Sequence, residues 1–254
     1  MSIEEKKLLK LKQNDFSDED SLDSDPLIKH RLQIYKDLLH QGVILVNRDI
    51  DDSLVEMLNI QLLFLSNNGE KNIRVLINSY GGDVIAALNA IDLMDSVMMI
   101  GPNHKDTGSL ITTIGLGAVM SAAFITFMGG GIRLCYEKTS FLEHSIVACF
   151  DQYVSTYNLE KTGEWFTKMH ERIAAYFALK TKKSKKWWID IFKHPHDTYF
   201  DSKDALKYGI VHKIINPFAD IVQSNKRIQA VLESKLKSNV LLPFVLAKPS
   251  RKSK

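Results

Sequence analysis

The feature that most constrains this chain is its alternation of short β-branched runs with stretches of helical periodicity, punctuated by glycine. Residues 27–39 have apolar side chains at helical spacing, Gly42 breaks the pattern, and Val43 to Val46 is a short β-branched run. Asp51-Asp52-Ser53 then offers an N-cap and early negative charge to a helix carrying Leu54, Met57, Leu58, Gln61, Leu62 and Leu65, which Asn67-Asn68-Gly69 ends. A strand is expected at Ile73 to Asn78, a turn at Ser79-Tyr80-Gly81-Gly82, a helix at Val84 to Met94 and a further β-like run at Ser96 to Ile100. Such alternation predicts an α/β core with mostly parallel pairing.

The second half continues in the same style. Ile111 to Ile114 reads as a strand, Gly115 to Gly117 as a turn, and Ala118 to Met128 as a helix of small residues stopped by Gly129-Gly130-Gly131. Short strands are expected at Ile132 to Cys135 and Ser140 to His144. Leu159 to Lys180 reads as one long amphipathic helix with Trp165, Phe166, Met169, Ile173, Tyr176 and Phe177 along it. That stripe is either intramolecular core or a seam against an identical subunit. A basic hinge from Lys180 to Lys186 precedes Trp187 and Trp188. Ser202 to Tyr208 reads as a short capped helix ending at Gly209, followed by a strand from Ile210 to Ile215.

The two ends differ in composition from this middle. Residues 1–26, rich in Asp, Glu and Ser, are expected to form a disordered acidic arm; 27–216 form the folded domain; 217–254 form an extension with a helix at Asp220 to Lys237 and a basic end. Thirty-three Lys and Arg against thirty Asp and Glu leave a net charge of only +3, which gives no support to nucleic-acid binding. The most apolar stretch, Ile114 to Met128, falls short of the roughly 20 residues that span a bilayer, so no membrane crossing is expected. The N-terminus lacks the pattern of a signal peptide, and the protein is expected to stay where it is made. Cys135 and Cys149 show neither metal-ligand spacing nor a disulfide framework.

Chemistry has three candidate seats. Gly81-Gly82 after a strand can take positive φ and aim backbone N–H groups at a developing oxyanion or a phosphate, although a plain strand-to-helix turn reads the same way. In Gly117-Ala118-Val119-Met120-Ser121-Ala122-Ala123, a serine stands among small residues, which suits either a nucleophile or simple close packing. His144, one of eight histidines, lies at the end of an apolar strand and is either a rim group or a base. A base of this kind needs an acid to hold its tautomer, and spacing alone does not choose among the many carboxylates.

These segments together resemble the proteolytic subunit of the Clp protease, a ClpP-type serine peptidase. The resemblance rests on Ile34-Tyr-Lys-Asp-Leu-Leu, Val43-Ile-Leu, Gln61-Leu-Leu-Phe-Leu, Ile77-Asn-Ser-Tyr-Gly-Gly, Gly117 to Ala123, His144, and Asp197 through Gly209, in the family's order over roughly residues 30–216. Tyr80 stands where the family has proline, and an unusual Glu143 precedes the histidine. The match assigns Ser121 as nucleophile, His144 as base and Asp197 as orienting acid, with Gly81 or Gly82 and the Ala122 N–H as the oxyanion hole. A second register sets Gly115 at the family glycine and Val119 at the serine position, which would make an inactive subunit.

The resemblance also implies an α/β, ClpP/crotonase-like fold of repeated β-β-α units with a protruding handle helix, here Leu159 to Lys180. It implies homo-oligomeric stacked rings of seven with the sites inside a chamber. Unfolded proteins or peptides would be the substrates, a separate AAA+ unfoldase the feeding partner, and no metal or other cofactor would be needed. The expected compartment is the cytoplasm, that of the host for a phage-encoded relative, or the stroma for a plastid-type one. The acidic arm replaces the family's apolar axial loop, which sets this chain apart at the surface where an unfoldase would dock. A crotonase-type acyl-coenzyme A site is the alternative that uses the same amide pair without needing Ser121.

Overall fold

The computed structural model describes residues 26–99, 108–148, 150 and 153–216. The expected arm and the C-terminal extension therefore lie outside the described residues, apart from Pro26. The elements are α1 (Pro26–His40), β1 (Val43–Val46), α2 (Asp52–Asn67), β2 (Asn72–Ser79), α3 (Val84–Met99), β3 (Leu110–Met120) and α4 (Ala122–Met128). They continue with β4 (Ile132–Tyr136), β5 (Ser140–Glu143), α5 (Thr156–Lys180), α6 (Lys185–Lys193), β6 (Thr198–Phe200), α7 (Ser202–Tyr208) and β7 (Lys213–Ile215).

Among the described residues one seven-stranded sheet runs β1-β2-β3-β4-β7, with β5 on β3 and β6 on β5. Every pairing is parallel except β5 with β6. The predicted α/β class with parallel pairing is what forms. Asp51 caps α2 by accepting from the Leu54 N–H at 2.7 Å, as its sequence position predicts. Buried positions on β2 alternate, Ile73, Val75 and Ile77 facing the core.

β3 organises the site. Its first half, Thr112 to Gly115, pairs with β4, and its second half, Ala118 to Met120, pairs with β5. Between Ile77/Gly115 and Ser79/Val119 the ladder slips, so β3 advances four residues while β2 advances two. This bulge contains Gly117 at φ 54°, and Asn78 Oδ1 closes it by accepting from the Ala118 N–H at 3.0 Å.

Four expectations are corrected here. The glycines from 115 to 117 do not turn the chain: they lie inside β3, so the helix expected at Ala118 starts only at Ala122. Gly115 serves the packing instead, since a Cβ there would stand 3.1 Å from Thr139 and 3.2 Å from Val119. The β-like run Ser96 to Ile100 is the end of α3, as far as Met99. Ala90, Met94 and Val97 share one buried helical face, and that spacing outweighs the β propensity of the segment. The strand expected from Ile210 is shorter and begins at Lys213, and the basic hinge ends in a helix, α6, beginning at Lys185.

All seven residues of α4 are buried. Phe124 on α4 meets Phe141 of β5, Phe177 of α5, Trp188 of α6 and Phe200 of β6, with ring centroids 5.4 to 6.2 Å apart. Burying aromatic rings of this size is a major source of stability, and one side chain thereby ties five elements around the end of β3. Opposite in character is the first half of α5, where Tyr157, Leu159 and Trp165 are exposed; Met169, Ile173, Ala174 and Phe177 in its second half are buried. The aromatic stripe thus belongs to the core at one end and faces outward at the other. No helix among the described residues is long and apolar enough to cross a membrane.

Candidate active site

β3 ends at Met120 and α4 begins at Ala122, so Ser121 occupies the sharp corner between them. It is the one non-glycine residue with positive φ among the described residues, at φ 53° and ψ −126°. Such a conformation costs on the order of 1–3 kcal/mol and persists only where the surroundings dictate it. Its N–H donates to the Leu142 carbonyl at 2.9 Å, and its carbonyl accepts from Phe124 and Ile125 in the first turn of α4. These bonds fix the corner against β5, which carries His144 just past its end.

The Ser121 hydroxyl lies 2.8 Å from His144 Nε2, both groups being half-buried. With a neutral ring protonated at Nδ1, the hydroxyl donates and Nε2 accepts, the geometry in which a base takes the proton of an alcohol. Val119, the serine position of the alternative register, is wholly buried on β3 and pairs with Ser79 and Phe141. Val119 thus belongs to the core, while the corner residue, Ser121, is the one bonded to the imidazole.

The glycine pair arrives from the end of β2. Gly81 and Gly82 have φ of 120° and 143°, a region that side-chain-bearing residues rarely adopt. A Cβ on Gly81 would stand 2.8 Å from the Ser121 Cβ and 3.3 Å from the Ala122 N; one on Gly82 would stand 2.3 Å from the Ile50 carbonyl oxygen. The Gly81 N–H donates to Ser79 Oγ at 3.2 Å, and the Gly81 carbonyl accepts from Ile50 at 2.8 Å. The Gly82 N–H takes no part in these bonds. Ala122, first in α4, has no helical acceptor for its own N–H. α3 begins at Val84, so the extended backbone beside the serine is Tyr80 to Gly82, where Gly82 bridges to Ile50.

Asp197 is not bonded to the imidazole. Its exposed carboxylate accepts from the Tyr199 hydroxyl at 3.5 Å, a long contact. β5 and β6 pair Phe141 with Phe200, Leu142 with Tyr199 and Glu143 with Thr198; the ladder ends there, with His144 one residue after β5 and Asp197 one residue before β6.

Beside the serine and histidine lies a pocket of about 90 Å³, lined by Gly82, Val84, Ile125, Ile146, Ile173 and Phe192 among others. Its odd member is Glu143, 2% exposed. Burial pushes this carboxyl well above the ordinary carboxylate range, offset in part by the His144 backbone N–H. The following loop is held by His170 of α5, whose Nε2 accepts from the Ile146 N–H at 2.9 Å and whose ring stacks on Phe192. Burial lowers the His170 pKa, in keeping with a neutral ring that accepts. Sequence reading passed over His170 among eight histidines, its helical position giving no signal of its role.

The sequence profile of the Clp protease family matches residues 28–218. This chain belongs to the Clp protease family. It is, as such, a serine protease of the Clp type. The ATP-dependent Clp protease proteolytic subunit of Carsonella ruddii (strain PV) is 25% identical over 187 residues, covering 72% of this chain and 89% of that protein. In fold it is similar to an asparagine-to-aspartate mutant of ClpP1 from Listeria monocytogenes, with a TM-score of 0.60 and 24% identity over 72% of this chain and 96% of that one. The ClpP-like α/β fold expected from the sequence is the one observed.

Proposed function

We propose that this chain is an endopeptidase that works through an acyl-enzyme on Ser121. The observation that carries the reading is the 2.8 Å approach of the Ser121 hydroxyl to His144 Nε2. Ser121 Oγ attacks the peptide carbonyl carbon as its proton passes to Nε2, and the resulting imidazolium returns that proton to the leaving amine. Water, deprotonated by the same ring, then hydrolyses the ester. The Gly82 and Ala122 N–H groups receive the oxyanion, worth roughly 3 kcal/mol per donor. Gly81, its own N–H committed to Ser79, shapes the loop that presents them. Asp197 turns from Tyr199 to His144 Nδ1 and stabilises the charged ring.

The substrates are unfolded proteins or peptides, lying as an extended strand beside Tyr80 to Gly82 so that main-chain bonds carry little sequence preference. Stacked heptameric rings would enclose the sites, with the exposed start of α5 at the contact between them; the apolar side chains of Tyr157, Leu159 and Trp165 support that role. Trp165→Glu is expected to shift the particle to a single ring or smaller in sedimentation velocity, and an unchanged particle contradicts the assignment. An AAA+ unfoldase is the proposed feeding partner and the cytoplasm the proposed compartment, to be checked by co-purification and by cell fractionation.

A second reading, a catalytically silent subunit of a mixed ring, draws on the separation of the Asp197 carboxylate from the imidazole. A fluorophosphonate probe distinguishes the two. The peptidase is labelled at Ser121 and loses labelling and peptide cleavage in Ser121→Ala; the silent subunit stays unlabelled even when assembled.

A further inference from the structure

The pocket beside Ser121 contains a group that its walls do not explain. Val84, Ile125, Ile173 and Phe192 make it apolar, yet Glu143 of β5 also lines it, with Oε2 closed to solvent and without a hydrogen-bond partner among the described residues. β5 alternation requires that position to face inward: Phe141, two residues earlier, points into the aromatic core from the same face. An unpaired buried carboxyl oxygen costs about 1–3 kcal/mol or more, and a well-packed aliphatic residue would avoid that cost. None of the proposed catalytic steps uses it. Ser121 and His144 line the same pocket, so this is where a substrate side chain next to the attacked carbonyl would enter.

We propose that Glu143 makes this pocket a selector for lysine at the residue preceding the cleaved bond, its carboxyl turning out of the wall so that Oε2 receives the ammonium at the end of the substrate side chain. This rests on the peptidase reading given above. The pocket, with about 90 Å³ of water-accessible space, leaves room for an unbranched side chain to lie along its apolar walls. Four methylenes of lysine would lie against the apolar walls while the ammonium supplies the missing donor. A seated cation also favours the ionised carboxylate, reversing the effect of burial. Norleucine, which has the same unbranched carbon chain without the ammonium, fills the walls equally and leaves Oε2 unpaired. Main-chain pairing then gives broad acceptance along the rest of the substrate, and selectivity is confined to this one position.

The test measures binding of two N-acetylated tetrapeptides, identical except for a C-terminal lysine or norleucine, to the full-length Ser121→Ala protein by calorimetry at pH 8. The lysine peptide is expected to bind at least about ten-fold more tightly, and Glu143→Leu in the same background is expected to reverse the order. Equal affinities, binding of neither peptide, or a lysine preference that survives Glu143→Leu overturns the proposal; Glu143→Gln provides the same comparison if the leucine variant does not fold. Cleavage of matched fluorogenic substrates by the unsubstituted protein separates the two claims. A lysine preference in binding without any cleavage refutes the peptidase reading and leaves the pocket assignment standing.

Discussion

Gly81 lies against Ser121 so closely that a Cβ added to the glycine would stand 2.8 Å from the serine Cβ. The loop after β2 and the corner after β3 are therefore shaped to each other. Gly81→Ala must displace one of the two and must also adopt an unfavourable φ. We expect a destabilisation of about 1–3 kcal/mol in denaturant unfolding. The loss in kcat/KM should reach about 100-fold, comparable to removal of one oxyanion donor. A fully active Gly81→Ala protein would show that this contact does not align the serine.

Asp197 and His144 flank the last pair of the β5–β6 ladder, and the Asp197 carboxylate is turned toward Tyr199. Asp197→Asn is expected to lower kcat by about 10²–10⁴, with KM changed far less, because the amide no longer stabilises the imidazolium. Tyr199→Phe, which frees the carboxylate, should leave activity unchanged or raise it. Unaltered kcat in Asp197→Asn would remove this residue from the mechanism.

Much of this was legible in the sequence, and the failures have physical causes. The Asp51 cap, the α2 face and the short helix ending at Gly209 follow from local rules that tertiary packing did not override. The stretch from Gly115 to Gly117 defeated the same rules, because glycine in a strand can mark a bulge or close packing as well as a turn. Reading it as a turn put Ser121 inside a helix instead of at the corner where its φ of 53° presents the hydroxyl. β6 has only three residues, too few for alternation to register, so the β5–β6 ladder that ends next to His144 and Asp197 could not be seen. The family resemblance proposes Asp197 as the orienting acid, a role that spacing does not assign.

Glu143 gives a pH prediction with a definite sign. Its folded pKa is raised above the ordinary glutamate value near 4.5, so the folded state holds its proton over a range where the unfolded chain has released it. Its contribution to stability is present below that ordinary value and is lost as pH rises toward the folded pKa. Glu143→Leu should therefore become more stable relative to the unsubstituted protein as pH goes from 5 to 8, measured by urea unfolding at each pH. A difference that stays constant or shrinks across that range would mean that the carboxyl is not held protonated in the fold.

The account depends most on the Ser121 hydroxyl being made nucleophilic by His144. Fluorophosphonate labelling of the assembled protein, followed by peptide mapping in the mass spectrometer, tests this most directly. The predicted result is one adduct, on Ser121, with His144→Ala reducing its rate of formation by at least about 10³. Failure of Ser121 to label, or labelling at the same rate in His144→Ala, contradicts it.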